Sequence, residues 1–251
     1  MKNFCLPVFV ICVTVCSWSP TFSAEEKSKE PSPSAPKAEN AVKEKKDPQK
    51  EGWKPLLNGE NLDGWSLPGF GGEGDVQVKK GNLTIGVGIL CTGIKYEKEF
   101  PKKDYEIRYE AKRTKGYDFF AALTFPVGDS FCTFINGGWG GGVVGLSCLD
   151  GADASENSTT QYYSFKEETW YKFRVAVTED KIKVWIGKED QDPELKIDQP
   201  LEGCKVGTRL EVQIYEPLGL ATWCTEGVIR HLEYRLLKPE ETAKIKAEIK
   251  K

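Results

Sequence analysis

One stretch of the chain brings together residue types that could do chemistry: FINGGWGGGVVGLSCLDGADASEN, residues 134–157. Glycines crowd its first half, and acids and amides crowd its second half. Gly140, Gly142 and Gly145 satisfy the pattern G-x-G-x-x-G, which in nucleotide-binding proteins leads directly into a helix that binds the phosphates. Here β-branched residues and a turn follow instead, so the pattern does not predict a nucleotide site. Glycines in strands mark bends, bulges or the close approach of a ligand.

Asn136 and Trp139 lie at this glycine-rich bend. One interpretation is a bulged hairpin in which the Trp139 side chain packs down against the protein. The other places Trp139 at the rim of a cleft, with Asn136 nearby, where the ring face is available to a sugar.

The carboxylates that follow the bend could overhang the same cleft. Asp150, Asp153 and Glu156 are the candidate general bases, a role that needs a partly desolvated pocket. Asp150, Asp153 and Asn157 are the candidate ligands for Ca²⁺ or another divalent cation, because hard cations take several oxygen ligands from one flexible loop. The spacing is not that of an EF-hand, and the alternative is an acidic surface loop of solvated side chains.

Alternating patterns predict a second candidate surface, on which aromatic and polar side chains share one face of a sheet. YKFRVAV, KIKVWIG and RLEVQIY each alternate with period two and are predicted to be strands. Their outward side chains include four candidate substrate-binding residues: Arg174, Trp185, Gln213 and Tyr215. Aromatic faces and forked donors suit a carbohydrate, whereas the alternative is an ordinary solvated face with cross-strand ion pairs.

The segments that must position these residues are short and extended. DVQVKKGNLTIG predicts a hairpin with its turn at residues 79–82, DYEIRYEAK predicts a half-buried strand, and FFAALTF (119–125) predicts a central one. Strands at this spacing over residues 52–237 predict an all-β sandwich or jelly roll. Residues 238–251, KPEETAKIKAEIKK, predict a short C-terminal helix.

The N-terminal part of the chain differs in composition from the rest. Residues 1–24 predict a signal peptide, with Lys2, an apolar run and small residues before Glu25. The apolar run is shorter than the roughly 20 residues that a transmembrane helix needs. Residues 25–51 are rich in proline and alternating charge, which predicts a disordered linker. We therefore expect a secreted or periplasmic protein without a transmembrane segment.

Charge and cysteine content limit the classes of function and of structure. The net charge of −3 has the wrong sign for a nucleic-acid partner, which would need a clustered basic face. Three of the 8 cysteines fall in the predicted signal peptide, and the odd number that remains leaves at least one thiol unpaired within the chain. His231 is the single histidine, and a structural hydrogen bond is favoured over metal binding.

Two ends of the predicted sandwich resemble a known family. GWKPLLNGENLDGW (52–65) and LGLATWCTEGVIRHLEYRLL (218–237) resemble the opening and the close of the 3-keto-disaccharide hydrolase domain family. The order of the hairpin and strands between them is also similar. The resemblance implies a concanavalin A/LamG-like jelly roll that acts on oxidised glycosides. In that chemistry the 3-keto group acidifies the proton at C2, a base removes the proton, the aglycone leaves by elimination, and water adds back.

The sequence departs from the family pattern over YDFFAALTFPVGDSFCTFINGGWGGGVVG (117–145). The family's arginine-bearing strand and its Glu-x-Gln stretch have no counterpart there. Three functions therefore stay open: a hydrolase or lyase of 3-keto-glycosides, a non-catalytic carbohydrate-binding module on the same scaffold, and an interaction module for another cell-envelope protein.

Overall fold

Two antiparallel sheets lie face to face in the computed structural model, which describes residues 52–69 and 71–247. The predicted signal peptide and linker lie outside the described residues. The strands are β1 (Lys54–Pro55), β2 (Trp65–Ser66), β3 (Val76–Lys79), β4 (Asn82–Ile85), β5 (Cys91–Tyr96), β6 (Tyr105–Lys115), β7 (Ala122–Val127), β8 (Ser130–Gly137), β9 (Val143–Ser147), β10 (Gln161–Tyr162), β11 (Tyr171–Val177), β12 (Lys181–Lys188), β13 (Glu194–Pro200), β14 (Gly219–Trp223) and β15 (Glu226–Leu236). The helices are α1 (Gly138–Gly141), α2 (Leu210–Gln213) and α3 (Pro239–Ala247).

The strand order defines a jelly-roll sandwich, as the sequence predicted. The 8-stranded sheet runs β13-β12-β11-β6-β15-β4-β3, with β1 paired to β15. The 7-stranded sheet runs β10-β9-β8-β7-β14-β5-β2. Strands distant in sequence are neighbours in both sheets, so each sheet needs the C-terminal part of the chain.

The main core fills the space between the sheets and follows the period-two pattern of the sequence. In β6 the alternate residues Tyr105, Ile107, Tyr109 and Ala111 are all buried in this core. Strand β7 lies in the middle of the 7-stranded sheet and is buried along its whole length. The predicted 76–85 hairpin is confirmed, with Val76 paired to Ile85. The predicted strands YKFRVAV and KIKVWIG are also confirmed, and they pair with each other from Tyr171 to Lys188.

The prediction of a strand over RLEVQIY is wrong. Residues Leu210–Gln213 form the short helix α2, which lies against the outer face of the 7-stranded sheet. The helical spacing brings Val212 and Tyr215 onto one side, where both are buried. Close packing explains the depth of Tyr215: a Cβ on Gly93 would lie 2.7 Å from its ring.

The predicted C-terminal helix is confirmed as α3. Its Ile245 is buried with Leu237 and Ala176 on the outer face of the 8-stranded sheet, and Trp185 packs partly against them. None of the helices in the described part of the chain is both long and apolar enough to cross a membrane. The cysteines there carry free thiols: Cys91, Cys132, Cys148, Cys204 and Cys224.

Candidate functional site

A cavity of about 250 Å³ opens on the outer face of the 7-stranded sheet. Strand alternation places it there, because Phe134 and Leu146 point into the main core while their neighbours Ile135 and Ser147 line the cavity. Its aromatic wall consists of Phe119, Trp139 and Trp223, and its polar wall of Asp118, Asp153, Arg209 and Glu211. We call it the Trp139 cavity.

The glycine-rich bend positions Trp139 at the rim. Gly137 and Trp139 both have left-handed backbone conformations, with φ of 83° and 48°, which is uncommon for a residue with a side chain. The Asp118 carboxylate ties down the bend, since it accepts hydrogen bonds from the Gly140 N–H at 3.2 Å and from the Phe119 N–H at 2.8 Å. Trp139 stays 46% exposed as a result, and its side chain forms part of the opening.

Asp153 is the most deeply held carboxylate of the polar wall. Its Oδ1 accepts hydrogen bonds from Ser147 Oγ at 2.5 Å and from the Ala154 N–H at 2.9 Å. Its Oδ2 forms an ion pair with Arg209 Nη1. Only 9% of the Asp153 side chain is exposed, so the carboxylate is fixed in one orientation by three partners.

Arg209 connects the two carboxylates of the polar wall. Besides Asp153, it binds Glu211 through two parallel hydrogen bonds, from Nε at 3.1 Å and from Nη2 at 3.0 Å. These bonds lower the pKa of the Glu211 carboxyl from its ordinary value and raise the pKa of the Arg209 guanidinium. Arg209 and Glu211 are therefore both charged at neutral pH.

Two loops are tied together to bring Arg209 to Asp153. Cys148 and Gly207 exchange backbone hydrogen bonds of 2.7 and 3.0 Å. Two residues further along this pairing, the Asp150 N–H donates to the Lys205 carbonyl at 2.8 Å, and Asp150 Oδ1 accepts from the Lys205 N–H at 2.8 Å. We call residues 205–217 the cover segment, because Val212 and Tyr215 within it pack over the sheet.

The structure brings together only part of the first predicted constellation. Trp139 and Asp153 line the same cavity, whereas Asp150 and Glu156 are not among its wall residues. Asn136 is fully buried: its amide nitrogen donates to the Ala121 carbonyl at 2.8 Å, and its oxygen accepts from the Ala121 N–H at 3.0 Å. Asn136 therefore holds two strands together and does not reach the cavity.

The proposed metal ligands are each engaged by the protein itself. Asn157 Nδ2 donates to the carbonyls of Leu146 and Asp153, both at 2.7 Å, while Asp150 is bound to the cover segment and Asp153 to Arg209. Within the described ranges, no three His, Cys, Asp or Glu side chains are grouped closely enough to hold a metal ion.

The second predicted constellation is divided between the two sheets. Arg174 and Trp185 do share the outer face of the 8-stranded sheet, where the guanidinium carbon lies 3.8 Å from the indole centroid. Gln213 and Tyr215 belong to the cover segment over the other sheet, so they are not part of that face. Cross-strand ion pairs, such as Arg235–Glu106 and Arg230–Glu110, do occur on this face.

Of the aromatic and polar walls of the cavity, sequence reasoning missed five residues: Asp118, Phe119, Arg209, Glu211 and Trp223. Arg209 and Glu211 lie 56 and 58 residues from Asp153 along the chain, and nothing local in the sequence indicates their meeting. The sequence RLE (209–211) places an arginine two residues before an acid, which is a local signal for the Arg209–Glu211 pair. The prediction of a strand assigned these residues to a different surface.

Comparison with known families identifies the family of the chain. The chain belongs to the 3-keto-alpha-glucoside-1,2-lyase-like domain family, whose model matches residues 52–190. No curated protein matches the chain in sequence. The cavity combines residues from inside and outside the matched stretch, since Asp118, Trp139 and Asp153 lie within it and the cover segment lies beyond it.

Solved structures with similar folds share little sequence with this chain. The exoplasmic/lumenal domain of VIP36, in its Ca²⁺/Man3GlcNAc-bound form, is 12% identical with a TM-score of 0.50, covering 78% of this chain and 95% of that chain. The carbohydrate-binding module CBM66 from Bacillus subtilis is 12% identical with a TM-score of 0.44, covering 68% of this chain and 95% of that chain. At this identity the first of these likenesses shows the jelly-roll fold.

Proposed function

We propose that the protein binds one sugar residue of a 3-keto-α-glucoside in the Trp139 cavity. The observation that carries this proposal is the meeting, in one cavity, of a half-exposed Trp139 and the Arg209–Asp153–Glu211 cluster. A pyranose has an apolar C–H face and a polar rim of hydroxyl groups. An indole ring offers area for the face, and charged forked groups offer directed hydrogen bonds to the rim.

The size of the cavity supports a single sugar residue. Pockets for drug-sized ligands occupy roughly 300–1,000 Å³, and the Trp139 cavity, at about 250 Å³, lies just below that range. Aromatic side chains on one wall and a few oriented polar groups on the other are the usual composition of a small-molecule site.

Recognition is favoured over proton removal because the carboxylates in the cavity are already engaged. Asp118 accepts two backbone N–H groups, and Asp153 accepts three hydrogen bonds. Glu211 accepts both bonds of the Arg209 fork, which lowers the pKa of its carboxyl. A carboxylate held in this way orients a ligand well, but its lone pairs are less available to take a proton from carbon.

Catalysis is the second candidate, and family membership together with Arg209 favours it. In that reaction Asp153 would take the proton from C2, and the electron pair would move to the 3-keto oxygen to give an enolate. Arg209 lies beside Asp153 and would stabilise the negative oxygen. The enolate would then expel the aglycone from C1, the proton held by Asp153 would pass to the departing oxygen to give the alcohol, and water would add to the resulting C1=C2 double bond.

One experiment with methyl 3-keto-α-glucoside separates the two candidates. Calorimetry measures its binding, and proton NMR in D₂O follows both methanol release and deuterium incorporation at C2, against a blank without protein. We expect binding without either reaction, and roughly a two- to tenfold loss of affinity in Trp139→Ala, the range of an aromatic contact.

Other outcomes would decide against the binding role. Methanol release that disappears in Asp153→Asn would establish catalysis in its place. Wild-type protein that binds neither the 3-keto-glucoside nor methyl α-glucoside would contradict both candidates.

A further inference from the structure

An exposed aromatic side chain lies on the same face of the sheet as the Trp139 cavity but outside it. Tyr162, on the edge strand β10, is 80% exposed and pairs directly with Val143. Directly opposed residues of an antiparallel pair present their side chains on the same face. Val143 packs in one cluster with Phe119 and Ile135, both of which line the cavity. Tyr162 therefore lies on the outer face, at the edge beside the cavity.

A row of paired residues runs across the sheet from Tyr162 to the residue before Trp139. Val143 is bridged on its other side to Gly138, the residue before Trp139. Tyr162, Val143 and Gly138 thus lie on adjacent backbone segments, and two strand spacings of roughly 4.8 Å place the ends of the row about 10 Å apart. Gly140, next to Trp139, has open space where a Cβ would be, so no side chain from this position fills the bend.

We propose that Trp139 and Tyr162 form a second subsite, which binds the sugar units linked to the residue in the cavity. The proposal rests on the proposed function, because it extends the same site outward. The ligand class that fits is a short linear oligosaccharide, whose next rings run from the cavity rim toward the sheet edge. A glycoside with a small aglycone would leave the ring of Tyr162 unused.

The position of Tyr162 beside the cavity is the reason for assigning an oligosaccharide to this surface. Single exposed aromatic residues are common on protein surfaces and need no ligand to explain them. Tyr162 differs because it lies on the same face as the cavity, and its row of paired residues ends at Gly138, directly before Trp139 of the cavity wall. Aromatic rings placed along a groove accept successive units of a chain, since each unit has a flat face that can stack.

The test is the dependence of affinity on the length of the ligand. Three probes are compared by calorimetry with the full chain: methyl 3-keto-α-glucoside, and maltose and maltotriose oxidised at C3 of the non-reducing residue. We expect the longest probe to bind wild-type protein roughly two- to tenfold more tightly than the methyl glycoside, as one aromatic contact provides. In Tyr162→Ala this ratio should fall to about one, whereas Tyr162→Phe should retain it.

Leu236→Ala is the matched control, because Leu236 is an exposed apolar residue at the end of a strand in the other sheet. In this variant the ratio of the affinities for the longest probe and the methyl glycoside should equal that of wild type. A ratio of one in wild-type protein, or an unchanged ratio in Tyr162→Ala, would overturn the second subsite while leaving binding in the cavity intact. Failure of wild-type protein to bind any of the three probes would instead contradict the proposed function itself.

Discussion

On the outer face of the 8-stranded sheet, tryptophan rings are covered by arginines, whereas on the outer face of the 7-stranded sheet Trp139 is half-exposed beside a cavity. The guanidinium carbons of Arg108, Arg230 and Arg174 lie 4.1, 4.0 and 3.8 Å from the ring centroids of their tryptophan partners. Those partners are Trp53, Trp170 and Trp185. A ring face occupied by a cation is not available to a sugar.

The two faces are also closed in different ways. On the 8-stranded sheet, carboxylates such as Glu106 and Glu110 bind the same arginines that stack on or lie beside the rings. On the 7-stranded sheet, small residues let other segments approach: a Cβ on Gly145 would lie 2.7 Å from the Ala154 carbonyl oxygen. Aromatic and arginine residues therefore do not by themselves indicate a binding face. Whether a ring face is available to a ligand depends on the residues that lie over it.

The largest effect that we expect is a loss of stability when Glu106, on the 8-stranded sheet, is replaced. Its side chain is 3% exposed and binds Arg235 at 2.9 Å, with Arg174 3.8 Å away. Glu106→Leu would leave these arginines without their buried partner, so the free energy of unfolding should fall by about 3 kcal/mol. Urea unfolding at pH 7 measures this change, and affinity for methyl 3-keto-α-glucoside should not change.

Asp129→Asn provides the contrast within the same measurement. Asp129 forms an ion pair with Lys102 at 2.7 Å, but its side chain is 96% exposed, so its removal should not change the unfolding midpoint. Equal losses in the two variants would show that the ion pairs of the 8-stranded sheet do not depend on burial.

A reciprocal pair of tryptophan variants sharpens the comparison. Trp185→Ala removes a ring that stacks on Arg174 and packs partly against Leu237 and Ile245, so we expect a loss of about 1–2 kcal/mol in the free energy of unfolding and unchanged affinity. Trp139→Ala should do the reverse, with weaker sugar binding and little change in stability. Reduced sugar binding in Trp185→Ala would place the site on the 8-stranded sheet and contradict its assignment to the Trp139 cavity.

The smallest expected effect is the pH dependence contributed by Glu211. Arg209 lowers the pKa of this carboxyl below its ordinary value of 4.5. A depressed pKa in the folded state stabilises the protein above the unfolded pKa, and the stabilisation is lost as the pH falls through the folded value. Glu211→Gln should therefore reduce the free energy of unfolding at pH 7, by less than about 1 kcal/mol for this partly exposed pair, and the difference should be smaller at about pH 4, below the ordinary pKa of 4.5.

Urea unfolding of Glu211→Gln and wild type at the two pH values checks this sign. Glu202→Gln, at an exposed position on the loop after β13, is the control for the substitution itself. A difference that grows on acidification would mean that Glu211 is not bound to Arg209 in its charged form.

The regular part of the fold was predictable from the sequence because burial repeats with period two. Tyr105, Ile107 and Tyr109 alternate with charged residues, and the pattern specifies both a strand and its inward face. The cover segment also alternates, but its residues pack over a sheet without joining one, so the helical contacts of Val212 and Tyr215 prevailed over the strand pattern. Local periodicity does not indicate which surface a segment will meet.

The candidate site was predictable only where its residues are near each other in the sequence. Trp139 and Asp153 follow one glycine-rich bend, and their proximity could be inferred from that bend. Asn136 looked equally available, yet it lies on the buried side, where its amide satisfies the backbone of Ala121. Arg209 reaches Asp153 only through the backbone pairing of two loops, which no local pattern records.

The cover segment has a consequence for how members of this family diverge. Arg209, Glu211 and Trp223 all follow residue 190, where the match to the family ends. Relatives that align throughout residues 52–190 can still present different groups to a ligand, because part of this cavity wall lies beyond that point. If the cavity binds a sugar as proposed, exchange of residues 205–217 between such relatives should change which ligand is bound while β14 and β15 stay in place.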